Sequence, residues 1–433
     1  MTHILTRRSL FAALAVLTMG TALTAPSFAE DVTLTYYIDD NTTNVATAEG
    51  LKKAFEAENP GIKIDIETHP GGSEGDNLVK TKLATGDMGD VFRYNAGSLF
   101  HALNPAQNLM DLTNEPFQAN VMDSFKPVVS EDGKVYGVPE EAAMGGGILY
   151  NRKIYADLGL SVPKTWADFM ANNEKIKAAG KAAPLIQTFG DTWTSQLFVL
   201  GDFYNVQAAV PNFAADYTAN KAHYADTPAA MKGFEHGEDV FKAGYLNADF
   251  ASAKFDDGLR MVATGEGAHY PMLTFAIGGI AQNNPDQLND VGFFAIPGDD
   301  ASKNGLTVWE PAAVYIYKGT KHPEEAKKFV AFIASTKGCD IRSAANGATG
   351  PYLIKGCTLP DNVPQAVKDL LPYFQEGGHT APALEYLSPV KGPSLEQITV
   401  EVGSGIRPAA DAAKLYDEDV KKQALQLGLP GWN

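Results

Sequence analysis

The chain has 433 residues, 45% hydrophobic and 20% charged, which is material for two or three domains with sizeable cores. Its formal net charge is −17, and an acidic surface repels phosphate backbones, which argues against nucleic acid as a partner. Neither CxxC nor HExxH occurs, so no metal and no cofactor are expected.

Residues 1–29 read as a secretory signal, with Arg7 and Arg8 at a basic start, an apolar run from Leu10 to about Leu23, and Ser27-Phe28-Ala29 as the cleavage site. The run is short for a membrane span, and no later stretch could cross a bilayer. Thr6 to Phe11 fits a twin-arginine signal as well as an ordinary Sec signal. No cysteine lies near the cleavage site, so the mature chain is expected to begin at Glu30 without a lipid anchor. Loss of Arg7 and Arg8 takes the charge to −19, 33 basic residues against 52 acidic.

In the mature chain "VTLTYYI" reads as a buried strand, and Asn44 to Glu58 as a helix with Ala48, Leu51 and Phe55 on one face, stopped by "NPG". "IKIDIE" alternates as a half-buried strand, a helix from about Asp76 to Thr85 ends at Gly86, and "DVF" opens a third strand. This β-α-β-α-β order predicts a parallel sheet covered by helices. Before the second helix, Gly71-Gly72-Ser73-Glu74-Gly75 matches the G-x-S-x-G nucleophile elbow, which works only on a sharp strand-to-helix turn with an acid and a histidine later in the chain. His69-Pro70 spaces Ser73 from the strand, and no acid–base constellation accompanies it. Ser73 is therefore read as a loop residue, no catalytic residue is assigned, and an exported hydrolase is the weakest functional alternative. Further on, Thr165 caps "WADFMANNEKIKAAG" with Asp168 as a capping-box partner. His322-Pro323-Glu324-Glu325 opens a helix through "AKKFVAFIAST" that is expected to end at Lys337-Gly338. The two cysteines, Cys339 and Cys357, are expected to form a disulfide after export, worth about 3 kcal/mol in the chain-entropy model.

"LKKAFEAENPGIKID", "LATGDMGDVF", "EDGKVYGVPEEA", "LYNRKIYADLGLSVPKTWADF", "GEGAHYPM", "KGTKHPEEAKKFVAFIAS" and "LGLPGW", in that order, resemble the extracellular solute-binding proteins of bacterial ABC importers, in the carbohydrate-binding group that includes maltose-binding protein. The resemblance implies an α/β periplasmic binding protein fold of two hinge-linked lobes with mainly parallel sheets and a ligand between them. The expected division is 30–138 with 304–352 for the first lobe and 139–303 with 353–433 for the second. The implied function is a periplasmic receptor, monomeric and not an enzyme, that delivers a sugar or oligosaccharide to a membrane permease.

The same resemblance places the ligand groove. Asp39, Asp40 and Asn41 follow the first strand, where one should contact ligand and one should cap the next helix. Arg93, Tyr94 and Asn95 follow the third strand, with Tyr94 expected to cover a sugar face and Arg93 leaving open an anionic ligand. Glu140 and Glu141 lie in the hinge. Met144 stands where the family carries a polar groove residue, and Gly145 to Gly147 are read as close-packing positions. Asp191, Thr192 and Trp193 fall in the family's aromatic segment, Phe275 at its stacking position, and Trp309 with Glu310 at or inside the groove rim. Trp166 is expected in the core. A cationic ligand such as a polyamine, caged by Asp39, Asp40, Glu140, Glu141 and Glu310, is the competing reading.

Overall fold

The computed structural model describes residues 31–310, 312–375 and 379–433. The signal and cleavage-site readings at 1–30 lie outside the described residues.

Two sheets organise the chain. In the first the order is Ile62–His69, Val32–Asp39, Val91–Asn95, Ala312–Ile316, Gly137–Pro139. The first three run parallel, and Ala312–Ile316 runs antiparallel to both neighbours. The second sheet is built around Met144–Asn151, which pairs antiparallel with Gly267–Leu273, Val291–Ala295 and Leu306–Trp309. Thr380–Pro382 and Ala183–Leu185 extend it with parallel pairings. The sheets are thus mixed rather than mainly parallel. Met144–Asn151 follows Gly137–Pro139 of the first sheet, and Ala312–Ile316 follows Leu306–Trp309 of the second, each within a few residues, too few for the crossover helix that parallel neighbours need.

These crossings, at 140–143 and between Trp309 and Ala312, join the lobes, and a third runs from 347 toward 363. Leu306–Trp309 pairs in the second sheet, so the chain re-enters the first at Ala312 and not at the expected 304. Leu353, Ile354 and Cys357 pack on the first lobe's core, past the expected 352, because the disulfide partner Cys339 and the Val121–Ile354 bridge hold them there.

Local signals explain the helix starts. Asn41 caps Thr42–Glu58, its side chain accepting from Asn44 N at 2.9 Å. Thr165 and Asp168 form the reciprocal capping box of Trp166–Ala179. The helix Gly72–Thr85 begins four residues before the expected Asp76, with Gly86 left-handed at φ 75° as its stop. Pro323–Ile333 ends early. Ser335 then accepts from Gly338 N at 3.2 Å and starts a second helix, Thr336–Asn346, so Lys337-Gly338 opens a helix instead of closing one. Cys339 and Cys357 are bonded, 18 residues apart. Trp166 is core, stacked on the buried His236 with ring centroids 3.6 Å apart.

Candidate functional site: a cleft between the lobes

The strand ends of the two sheets face each other across one large cavity of about 1280 Å³. From the first lobe come Asp39, Asp40, Asn41, Arg93, Tyr94 and Asn95, and from the second Met144, Asp191, Trp193, Phe275 and Trp309, with Glu141 at the crossing. Glu310 is outside the lining. It lies in the next crossing, where burial raises its carboxyl pKa.

Arg93 is the electrostatic hub of the first-lobe wall. It bonds Asp39, lies 2.7 Å from Glu140 Oε2 off the axis of its Nε–H, and contacts Glu141 Oε2 at 3.0 Å. Burial pulls its pKa down, but the three carboxylates outweigh burial and raise it. Tyr36 donates its hydroxyl to Glu140, and Asn41 and Asn44 donate to Asp39. The cation is therefore surrounded by carboxylates of its own lobe and hinge, with its Nε–H left without a hydrogen-bond partner. Arg93 lines the cleft as expected from its position, with its guanidinium held by these carboxylates at the cleft wall. Of the first loop, Asn41 caps, Asp39 belongs to the hub, and Asp40 is left exposed, its pKa raised by partial burial and by Asp39.

Tyr94 differs too. Its ring is only 3% exposed and packs in the first lobe's core, so it cannot cover a sugar face. Its hydroxyl lies beside Asp76, whose carboxyl is pushed up to about 6 chiefly by burial.

The exposed aromatic surface belongs to the second lobe. Trp193 and Phe275 are half-buried and enclose Phe255, with centroids 5.3 Å (Trp193–Phe255), 5.4 Å (Phe255–Phe275) and 6.0 Å (Trp193–Phe275). Such a ledge suits the C–H face of a ring. Met144 and Trp309, 2% and 3% exposed, form the apolar floor with Ala383. Trp309 presses on Gly146, where a Cβ would fall 2.2 Å from its Cζ3, so the glycines are close-packing positions as read. Its indole N–H donates to Glu385. Asp191 is committed to structure, accepting from Phe255 N at 2.7 Å at the start of the helix Phe255–Thr264.

The residues missed in the sequence come from Lys254 to Asp257 and from Glu385 to Gln397. Phe255 carries an N-terminal helix signal, since Asp257 accepts from Lys254 N at 3.0 Å. "SPVKGPSLEQ" has the proline, glycine and charged residues of a site-forming loop ahead of a helix. Ser73 also lines the cleft. It sits in the first helical turn, nearer a strand–turn–helix corner than expected, but it donates to Glu396 at 2.8 Å and accepts from Gln397 rather than bonding an imidazole. No group of three or more His, Cys, Asp or Glu side chains among the described residues could hold a metal.

Two α/β lobes that meet along short crossings and share one deep, polar, aromatic-edged cleft define a ligand-binding protein of the closing-lobe class. The chain belongs to the bacterial extracellular solute-binding protein family, whose model matches residues 39–338. It is 27% identical over 345 residues to the multiple sugar-binding protein of Streptococcus mutans, covering 77% of this chain and 78% of that protein. It is 25% identical over 410 residues to the diacetylchitobiose binding protein DasA of Streptomyces coelicolor, covering 91% and 90%. Among solved structures, a chitin oligosaccharide binding protein superposes with TM-score 0.79 at 22% identity, over 91% of this chain and 99% of that one. RafE in complex with raffinose superposes with TM-score 0.74, also at 22% identity, over 90% and 99%.

Proposed function

We propose that this protein is the exported substrate receptor of an ABC importer and that its ligand is an uncharged oligosaccharide. The observation that carries the reading is the cleft itself, with an aromatic ledge on one lobe and a polar wall organised around Arg93 on the other. Its volume of about 1280 Å³ exceeds the roughly 300–1,000 Å³ that holds a drug-sized molecule, which favours several sugar units over one. The sugar-binding names of the relatives support the same class. Against the polyamine reading, three of its five carboxylates, Asp39, Glu140 and Glu141, contact Arg93, and Glu310 is outside the cavity lining.

Within this reading the protein acts as a monomer in the periplasm, without a lipid anchor, without catalysis and without nucleic acid. Trp193 and Phe275 cover ring faces, Asp40, Asn41 and Asn95 reach sugar hydroxyls, and Glu141 and Asp191 hold the wall. Ligand bridges the lobes, and its extra contacts in the closed form shift the population toward it, which is the form a permease would recognise. Calorimetric titration with neutral di- to pentasaccharides, uronic acids and polyamines tests this. A neutral oligosaccharide should bind, and binding by polyamines alone would overturn it.

A further inference from the structure

Away from the three crossings, the lobes touch directly. Glu396, in the first turn of the helix Leu395–Gly403, is mostly buried, and its Oε2 accepts from Thr192 Oγ1 of its own lobe at 2.7 Å. The same oxygen accepts from Ser73 Oγ of the other lobe at 2.8 Å, with Ser73 N 3.5 Å away. Gln397 Nε2 adds a 3.2 Å bond to Ser73 Oγ. The loop that delivers Ser73 is shaped for close approach. Gly72 has φ +71°, and a Cβ there would meet Glu396 Oε2 at 3.2 Å and Trp193 Cβ at 3.5 Å. A second bridge runs from Thr42 Oγ1 to Asp256 Oδ2 at 3.1 Å, between the first turns of two helices on opposite lobes. None of these bonds needs a ligand atom.

We infer that Glu396 is a clasp: a positioning residue, pre-oriented by Thr192, that captures the Gly71–Ser73 loop and stabilises lobe closure independently of the ligand. Its carboxylate accepts two hydroxyl hydrogen bonds in the closed arrangement, and opening the cleft returns Ser73 to water while Thr192 keeps Glu396 aimed. A hydrogen bond to a charged group is among the stronger kinds. A receptor whose closed form is partly stabilised in advance binds with a smaller conformational penalty, because apparent affinity scales with the population competent to close. The glycine-rich stretch that resembles a nucleophile elbow thus serves closure. Its glycines permit the approach and its serine makes the bond.

The test uses the full mature protein and reads its ligand-free form, so its outcome is independent of which ligand the cleft takes. Small-angle scattering is recorded for the unsubstituted protein, Ser73→Ala, Glu396→Ala and the double variant, with melting curves confirming that each is folded. The expected result is a larger radius of gyration in both single variants, corresponding to about a tenfold fall in the closed-to-open ratio. The double variant should be no more open than Glu396→Ala, because each residue acts through the other. Ser73→Ala, which leaves the Thr192–Glu396 bond in place, keeps the test valid if Glu396→Ala fails to fold. Scattering curves identical to the unsubstituted protein for every folded variant would overturn the clasp, as would strictly additive effects of the two substitutions.

Discussion

Arg93→Met removes the cation to which Asp39, Glu140 and Glu141 all point, while keeping an unbranched stem of similar reach. The four side chains are 12%, 14%, 2% and 14% exposed, so the cluster is close to fully desolvated. Removing one partner of a buried ion pair costs about 3–5 kcal/mol because the remaining charge is stranded, against about 0–1 kcal/mol for an exposed pair. The exposures place this cluster at the buried end, with an expected loss of about 3–5 kcal/mol at pH 7. The loss should also depend on pH in a defined sense. Burial raises the Glu141 carboxyl and Arg93 opposes that rise, so without Arg93 the folded variant binds this proton more tightly than its unfolded chain and its stability falls as pH rises above the ordinary carboxylate range. Urea unfolding at pH 5 and pH 7 should therefore show a smaller deficit at pH 5. A loss below about 1 kcal/mol at pH 7, or a deficit that grows toward pH 5, would refute the description of Arg93 as a hub.

Gly146→Ala should cost about 1–3 kcal/mol by forcing Trp309 off the cleft floor, read as a lower urea midpoint together with a shifted tryptophan emission. Asp202 is 1% exposed, and burial pushes its carboxyl from 3.8 up to about 8. The folded state then binds the proton more tightly, so stability falls as pH rises from about 4 to about 8, and Asp202→Asn should flatten that slope in melts at pH 5 and pH 8. Reducing Cys339–Cys357 should cost about 3 kcal/mol by the loop-closure estimate while the far-ultraviolet circular dichroism stays native. Trp193→Ala should weaken oligosaccharide binding more than tenfold in calorimetry, since truncating an aromatic anchor commonly costs about 2 kcal/mol, with little change in melting temperature because the ring is half-buried.

The period-2 and period-3.6 patterns from Val32 to Asn95 placed the first sheet's strands and helices to within a few residues, because each buries one face against a single sheet. The disulfide was legible because the chain has only two cysteines and its first 29 residues read as an export signal. Sheet polarity in the second lobe was not legible, since Met144–Asn151 is buried throughout and an all-apolar run carries no information about the direction of its neighbours. The restart of the helix at Ser335 was missed because Lys-Gly reads equally as a stop.

At the cleft, reading along the chain found residues that follow strands but not how they are spent. Arg93 is a groove residue by position and a hub by its partners, which lie 54, 47 and 48 residues away in sequence at Asp39, Glu140 and Glu141. Tyr94 is a groove residue by position, but strand alternation turns its ring into the core and its hydroxyl is buried with it. Phe255, Glu385 and Glu396 come from segments brought to the cleft by long-range packing, which local signals for a helix start or a loop do not reveal.

Titration calorimetry of the mature protein against a size series of neutral oligosaccharides, from mono- to pentasaccharide, bears most directly on the central claim. One saccharide of two or more units should bind with one-to-one stoichiometry, and at 100 times its Kd it should stabilise the fold by about 2.7 kcal/mol. Absence of heat for every saccharide, with saturable binding of a polyamine or an anionic ligand, would contradict the account.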